Sequence, residues 1–168
     1  MNSENQKPHE SSVSVDLSSI LSGLEQQRAS AQARLQTNRY RIHRALTRLG
    51  VTSVAISYSG CGDSGQIDSV RMLNGDFEVK SFKNVRVLTA TSKFDHESGR
   101  WIDSGKYKSV PIHEALESLV YDWLESEYCG WENNDGASGE CTIDVATDCF
   151  LLEHTWYYTE SETMEHSL

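Results

Sequence analysis

Apolar and polar positions change their period along the chain, and the changes mark its elements. Stepping by four and three from Leu17 gives Leu21, Leu24, Arg28, Ala31, Leu35, Asn38, Ile42, Ala45 and Leu49. This helical stripe predicts a helix from Asp16 to Leu49, interrupted in character only at Arg28 and Asn38. Ser14 or Asp16 would cap its start and Gly50 would stop it, with Gly23 as a kink or a fresh start. The period then falls to two. Val54, Ile56 and Tyr58 alternate, and Gln66 to Leu73 resumes an extended run after the polar segment Ser59-Gly60-Cys61-Gly62-Asp63-Ser64-Gly65. Asn74-Gly75 is a hairpin signal. Phe77, Val79, Val85, Val87 and Leu88 suggest further strands, and Asp95 to Gly99 reads as a hairpin tip between Phe94 and Trp101.

Pro111 opens a second helix, where its missing N–H costs nothing. Ile112, Ala115, Leu116, Leu119, Val120, Trp123 and Leu124 form its buried stripe, and Glu114, Glu117, Asp122, Glu125 and Glu127 its polar face. A polar loop from Gly130 to Gly139 follows. Cys141, Ile143 and Val145 then alternate, Thr147-Asp148 turns the chain, and Phe150, Leu152, His154, Trp156 and Tyr158 alternate along a final strand. The expected fold class is α+β: an antiparallel sheet of five to seven strands with one packed helix, preceded by a long basic N-terminal helix. The organisation this implies is a disordered tail at 1–15, a basic helical arm at 16–50, and an α+β domain at 51–168.

Charge sharpens the picture. Residues 1–50 hold seven Lys/Arg against four Asp/Glu, and residues 51–108 hold eight against seven. Residues 109–168 hold fourteen Asp/Glu and no Lys or Arg, in a chain of net charge −10. Such a segment cannot neutralise itself and draws cations or basic partners. The arginine face of the first helix (Arg34, Arg39, Arg41, Arg44 and Arg48) suits phosphate, solvent or the chain's own acidic half equally well. No run approaches the ~20 apolar residues of a membrane helix, and Met1 to Ser14 lacks a secretory pattern, so the expected location is the cytoplasm. Cys61, Cys129, Cys141 and Cys149 form no zinc-type spacing and read as free thiols, although Cys141 and Cys149 fall on neighbouring strands.

Three familiar motifs fail on inspection. Cys61-Gly62-Asp63-Ser64-Gly65 lacks a residue between Cys and Gly found in chymotrypsin-type nucleophile loops, and no partner histidine motif accompanies it. Gly60-x-Gly62-x-x-Gly65 is not followed by a helix, as a dinucleotide loop requires. Aligning Gly136 with the glycine of a calcium loop leaves Trp131 and Thr142 where carboxylates belong. What survives is a pair of glycine-rich polar loops. Asp63, Glu132 and Asp135, with Glu162 and His166 from the alternating C-terminal segment, are candidate ligands for Mg²⁺ or Ca²⁺. Ser64, Asn133 and Asn134, together with Glu117, Asp122 and Glu125, are candidate binding positions. The bland reading of the first loop is a bulge or turn, and of the second a solvated loop.

The motifs Tyr58-x-Gly60-x-Gly62-Asp63-Ser64-Gly65-Gln66-Ile67 and Gly130-Trp131-Glu132-Asn133-Asn134-Asp135-Gly136, with the Glu165-His166 ending, resemble a functionally uncharacterised family of small bacterial and phage proteins. The resemblance covers residues 51–168 and implies that the loops and the acidic tail form one shared site. It brings no activity with it. Two function classes follow. One is a non-enzymatic binding module whose acidic surface engages a basic protein partner or copies nucleic-acid charge, with a role in phage–bacterial conflict or regulation; nucleic acid could meet the Arg34–Arg48 helix. The other is a divalent-metal-dependent enzyme, such as a hydrolase, using the loop carboxylates.

Overall fold

The computed structural model of the chain describes residues 17–96 and 100–168. The expected disordered tail at 1–15 lies outside them. The elements in order are α1 (Leu17–Arg48), β1 (Ser53–Asn74), β2 (Phe77–Glu78), β3 (Asn84–Asp95), β4 (Arg100–Pro111), α2 (Ile112–Glu127), β5 (Asn133–Asp144) and β6 (Cys149–Trp156). All strand pairs are antiparallel, in a four-stranded sheet of order β2-β1-β5-β6 and a two-stranded sheet β3-β4. The α+β expectation holds, but as two sheets and two packed helices rather than one sheet and one helix.

β1 is too long to be straight. The hydroxyls of Ser57 and Ser69 lie 2.8 Å apart, and Thr52 N–H donates to the Leu73 carbonyl at 2.7 Å. Residues twelve apart in one straight strand would be separated by about 40 Å. The run therefore doubles back around Asp63 and Ser64, so its two arms lie side by side.

Alternation places Val54, Ile56 and Tyr58 of β1 and Cys141 and Ile143 of β5 in the core, as the pattern predicted. They face the buried stripe of α2: Ile112, Ala115, Leu116, Leu119, Val120 and Leu124. The first helix joins the same core. Leu35 is buried and Ile42 and Leu46 are 0% exposed, within one cluster that includes β1, α2 and β5. The second half of α1 is thus structural, and the separable arm ending at residue 50 is corrected: a boundary there cuts through the core. Only the first half of α1 stands clear, with Ile20, Leu21 and Leu24 exposed.

Local chemistry fixes the docking of α1. Gly50 at φ 71° ends it, with Val51 N–H bonded to the Leu46 carbonyl and Gly50 N–H to that of Thr47. This paired arrangement is the Schellman closure, and it turns the chain directly into β1. Asn38, which broke the apolar stripe, is buried and faces the open edge of β3. Its Oδ1 accepts from Leu88 N–H at 2.7 Å and its Nδ2 donates to the Leu88 carbonyl at 2.9 Å. The amide stands in for a neighbouring strand. Without it two backbone groups would lose partners, at about 1–3 kcal/mol each. Farther along, Arg39 donates to the Asp148 carbonyl and pairs with its carboxylate at 3.0 Å, and His43 Nε2 lies 2.9 Å from the Val145 carbonyl.

Among the described residues no helix lies over the sheet's second face. Register puts Ser53, Asp144 and Cys149 in one row there, then Ala55, Thr142 and Leu151, then Ser57, Glu140 and Glu153, then Ser59, Ser138 and Thr155. Antiparallel sheets commonly leave one face to solvent in this way.

Candidate functional site

The two glycine-rich segments lie beside each other, the first at the bend of β1 and the second running from the turn at 130–132 into β5. Gly60 pairs with Ala137, Gly62 with Asn134 and Asp63 with Asn133, with a bulge between Gly60 and Gly62. The glycines are required by close packing. A Cβ on Gly65 would overlap the Trp131 indole, one on Gly60 would sit 2.8 Å from the same ring, and one on Gly136 would collide with the Gly60 carbonyl. Gly62 and Gly136 also have φ of 78° and 76°, where a side chain is strained. The first glycine-rich segment is therefore a seat for a buried tryptophan.

Trp131 belongs to an aromatic cluster. Its ring meets Tyr58 edge-on at 5.4 Å, and His154 stacks on Tyr128 at 3.9 Å with Trp156 edge-on at 4.8 Å. Tyr58 Oη lies 2.8 Å from both the Glu153 carbonyl and His154 Nδ1. A carbonyl only accepts, so the phenol donates to Glu153 and accepts from Nδ1–H, which leaves Nε2 as the lone-pair nitrogen. Nε2 is buried without a partner among the described residues, as is one carboxylate oxygen of Glu132. Burial pushes the Tyr58 phenol well up from its ordinary range and holds the His154 imidazole below its own. Cys141 is driven up to about 12 by burial, and Cys129 is raised by its hydrogen bond to Glu125. All four cysteines are free, and Cys141 pairs across the strands with Leu152 rather than Cys149.

This sets a pH dependence. The unfolded chain takes up a proton on His154 more readily than the folded chain does. Stability is therefore complete above the ordinary histidine value of 6.5 and declines as pH falls below it. Protonation would also turn buried Nε2 into an unpartnered donor. Thermal melts between pH 8 and 5 should fall more steeply for the native chain than for His154→Phe; parallel curves would contradict the assignment.

The expected metal ligands do not gather. Asp135 accepts from both the backbone N–H and the hydroxyl of Thr159, so its carboxylate ties down the segment after β6. The same segment is held by Ser138 to Tyr157 Oη and by Tyr157 N–H to the Gly136 carbonyl. Asp63 is exposed, Glu132 is partly buried behind Gly60, and Glu162 and His166 are exposed beyond β6. Among the described residues no group of three or more His, Cys, Asp and Glu is placed to hold a metal ion. Ser64 lines a shallow groove with Ser59, Gly60, Cys61, Gly65 and Gln66. Asn133 and Asn134 are exposed on β5, Asn134 at φ 59°.

The acidic half remains largely unneutralised. Of its fourteen carboxylates, only Asp122, 3.7 Å from Arg34, and Asp148, beside Arg39 and His43, have an ion-pair partner among the described residues. Burial raises the Asp122 carboxyl, with Arg34 opposing that shift. Asp122 is thus not a free binding position, whereas Glu117 is partly buried and Glu125 exposed on the same helix. Sequence reasoning missed one carboxylate pair. Glu140 and Glu153 stand directly opposite each other on the open sheet face. A turn read at Thr147-Asp148 alone would put Glu140 opposite Thr155; the actual turn spans Val145–Asp148, pairs Asp144 with Cys149 and so sets Glu140 opposite Glu153. Like charges so placed destabilise a sheet.

A family model described as a family of unknown function, DUF6878, matches residues 34–168. The chain belongs to DUF6878. The match begins inside α1, so it takes in the half of that helix which packs in the core of this DUF6878 protein and leaves out the exposed half. No curated protein and no solved structure matches the chain. Among its described helices none is long and apolar enough to cross a membrane.

Proposed function

We propose that this chain is a non-enzymatic binding module whose acidic surface engages a basic protein partner. The observation that carries the reading is the Glu140–Glu153 pair, opposed in register on the outer sheet face, with no ion-pair partner for either carboxylate among the described residues. An arrangement that costs stability in the free protein is relieved when a Lys or Arg arrives between the two carboxylates. Asp144, two rows along the same face, adds same-sign charge. The surrounding Ser and Thr rows are small and flat, which suits an extended basic segment. The metal-dependent enzyme reading finds no donor set to favour it, since Asp135 is spent on Thr159.

The test is capture of a labelled lysine-rich peptide followed by fluorescence anisotropy. Screening shortens from ~10 Å at 0.1 M salt to ~3 Å at 1 M, so capture should weaken steeply across that range. Glu140→Gln with Glu153→Gln should weaken it further, and Glu117→Gln with Glu125→Gln, on the helix over the other face, should not. Salt-independent binding would place recognition elsewhere.

A further inference from the structure

The chain has a second charged surface of opposite sign. Four arginines (Arg41, Arg44 and Arg48 of α1 and Arg86 of β3) have no ion-pair partner among the described residues. Most Lys and Arg among the described residues lack an ion-pair partner, and Arg41, Arg44 and Arg86 are set apart by the tyrosine rings beside them. Arg39, on the other side of the same helix, and Arg34, two turns before Arg41, are both paired. Two aromatic rings lie within the unpaired set. Arg41 and Arg86 both approach Tyr107, at 4.4 and 5.3 Å from the ring centre, and Arg44 lies 5.7 Å from that of Tyr40. Tyr107 and Tyr40 are themselves exposed.

We propose that the Arg41–Arg44–Arg48–Arg86 face, with Tyr107 and Tyr40, binds the phosphodiester backbone of single-stranded nucleic acid. The geometry argues for phosphate over an acidic protein in two ways. Arg41 and Arg86 lie against the Tyr107 ring, Arg44 also donates one N–H to Tyr40 Oη at 3.4 Å, and all four cations are arginines, whose planar fork of donors suits a bidentate oxyanion better than a lysine does. A protein interface is built around an apolar core, whereas backbone contacts to nucleic acid require none, and the apolar area here is limited to two tyrosine rings. Arg41, Arg44 and Arg48 recur at i, i+3 and i+7, along about 10.5 Å of one helix face, and offer successive contacts along a strand. Exposed tyrosines and arginine planes are stacking platforms for unpaired bases. The strong acidic field of the opposite half would then orient the molecule on the strand.

The experiment is anisotropy of a labelled single-stranded oligonucleotide, with the full chain, over a series of salt concentrations. Log affinity should fall linearly with log salt, and each of Arg44→Gln, Arg48→Gln and Arg86→Gln should shallow the slope by about 0.7. That is a loss of about eightfold at 0.05 M relative to 1 M salt. Lys106→Gln and Lys108→Gln are the controls. They remove the same charge from the same hairpin, but register with Leu88 and its neighbours puts them on the face opposite Tyr107 and Arg86. They should leave binding unchanged. Because all five positions are exposed, folding is not at stake. Equal losses at control and patch positions would overturn the proposal. So would duplex binding at least as tight as single-strand binding. Salt-reversible self-association that Arg86→Gln abolishes, with no oligonucleotide binding, would assign the face to a second copy of the chain instead.

Discussion

A chain starting at Gly50 will not fold, whereas one starting at Arg34 will. The shorter chain loses Leu35, Ile42 and Leu46, which are buried against β1, α2 and β5. Each fully buried aliphatic side chain contributes about 1.5–3 kcal/mol, against a total stability of about 5–15 kcal/mol for a domain. The loss also strips Asn38 from the edge of β3, leaving both Leu88 backbone groups without their partner. Near-UV circular dichroism and urea unfolding of the two chains check this. The longer should show a cooperative transition and fixed aromatic signals, and the shorter neither. A cooperative transition from Gly50 onward would make α1 an accessory.

The second large effect lies at the tryptophan seat. Gly65→Ala should destabilise the fold by about 1–3 kcal/mol, the usual range for overpacking, because its Cβ enters the Trp131 ring. Gly65 is not in the left-handed region, so the cost is steric and should depend on what occupies the seat. Trp131→Leu opens a gap of its own, but combined with Gly65→Ala the two changes should cost less than their sum. Coupling between residues in contact typically reaches about 0.5–3 kcal/mol. Chemical denaturation of the four-member cycle measures it. Strict additivity would show that Gly65 is glycine for another reason.

The sequence carried most of the elements and little of their assembly. The period-two runs at Val54–Tyr58 and Cys141–Val145 and the stripe of α2 are buried as their patterns required, because burial on one face leaves a periodic trace. The stripe of α1 was equally visible, but periodicity says only that a face is covered and not what covers it. Hence Leu35–Leu46 read as an arm when it is core. The glycine segments misled for a related reason. Glycine is used both for turns and for close approach, and only the position of Trp131 distinguishes the two. Carboxylates in Asp63, Glu132 and Asp135 looked like a ligand set on sequence proximity alone. Asp135 turned out to serve Thr159, a partner twenty-four residues away. The paired Glu140 and Glu153 depend on cross-strand register, which the length of the turn sets and a local pattern does not display.

The most direct measurement of the proposed role is the combined Glu140→Gln and Glu153→Gln change, read for stability and for capture together. Removing two opposed like charges should raise stability by about 0.2–1 kcal/mol in low salt. The same change should weaken capture of the lysine-rich peptide and reduce its salt dependence. A surface kept only for solubility would give the stability gain with unchanged capture, and that outcome, or a loss of stability with capture intact, would contradict the binding role of this face.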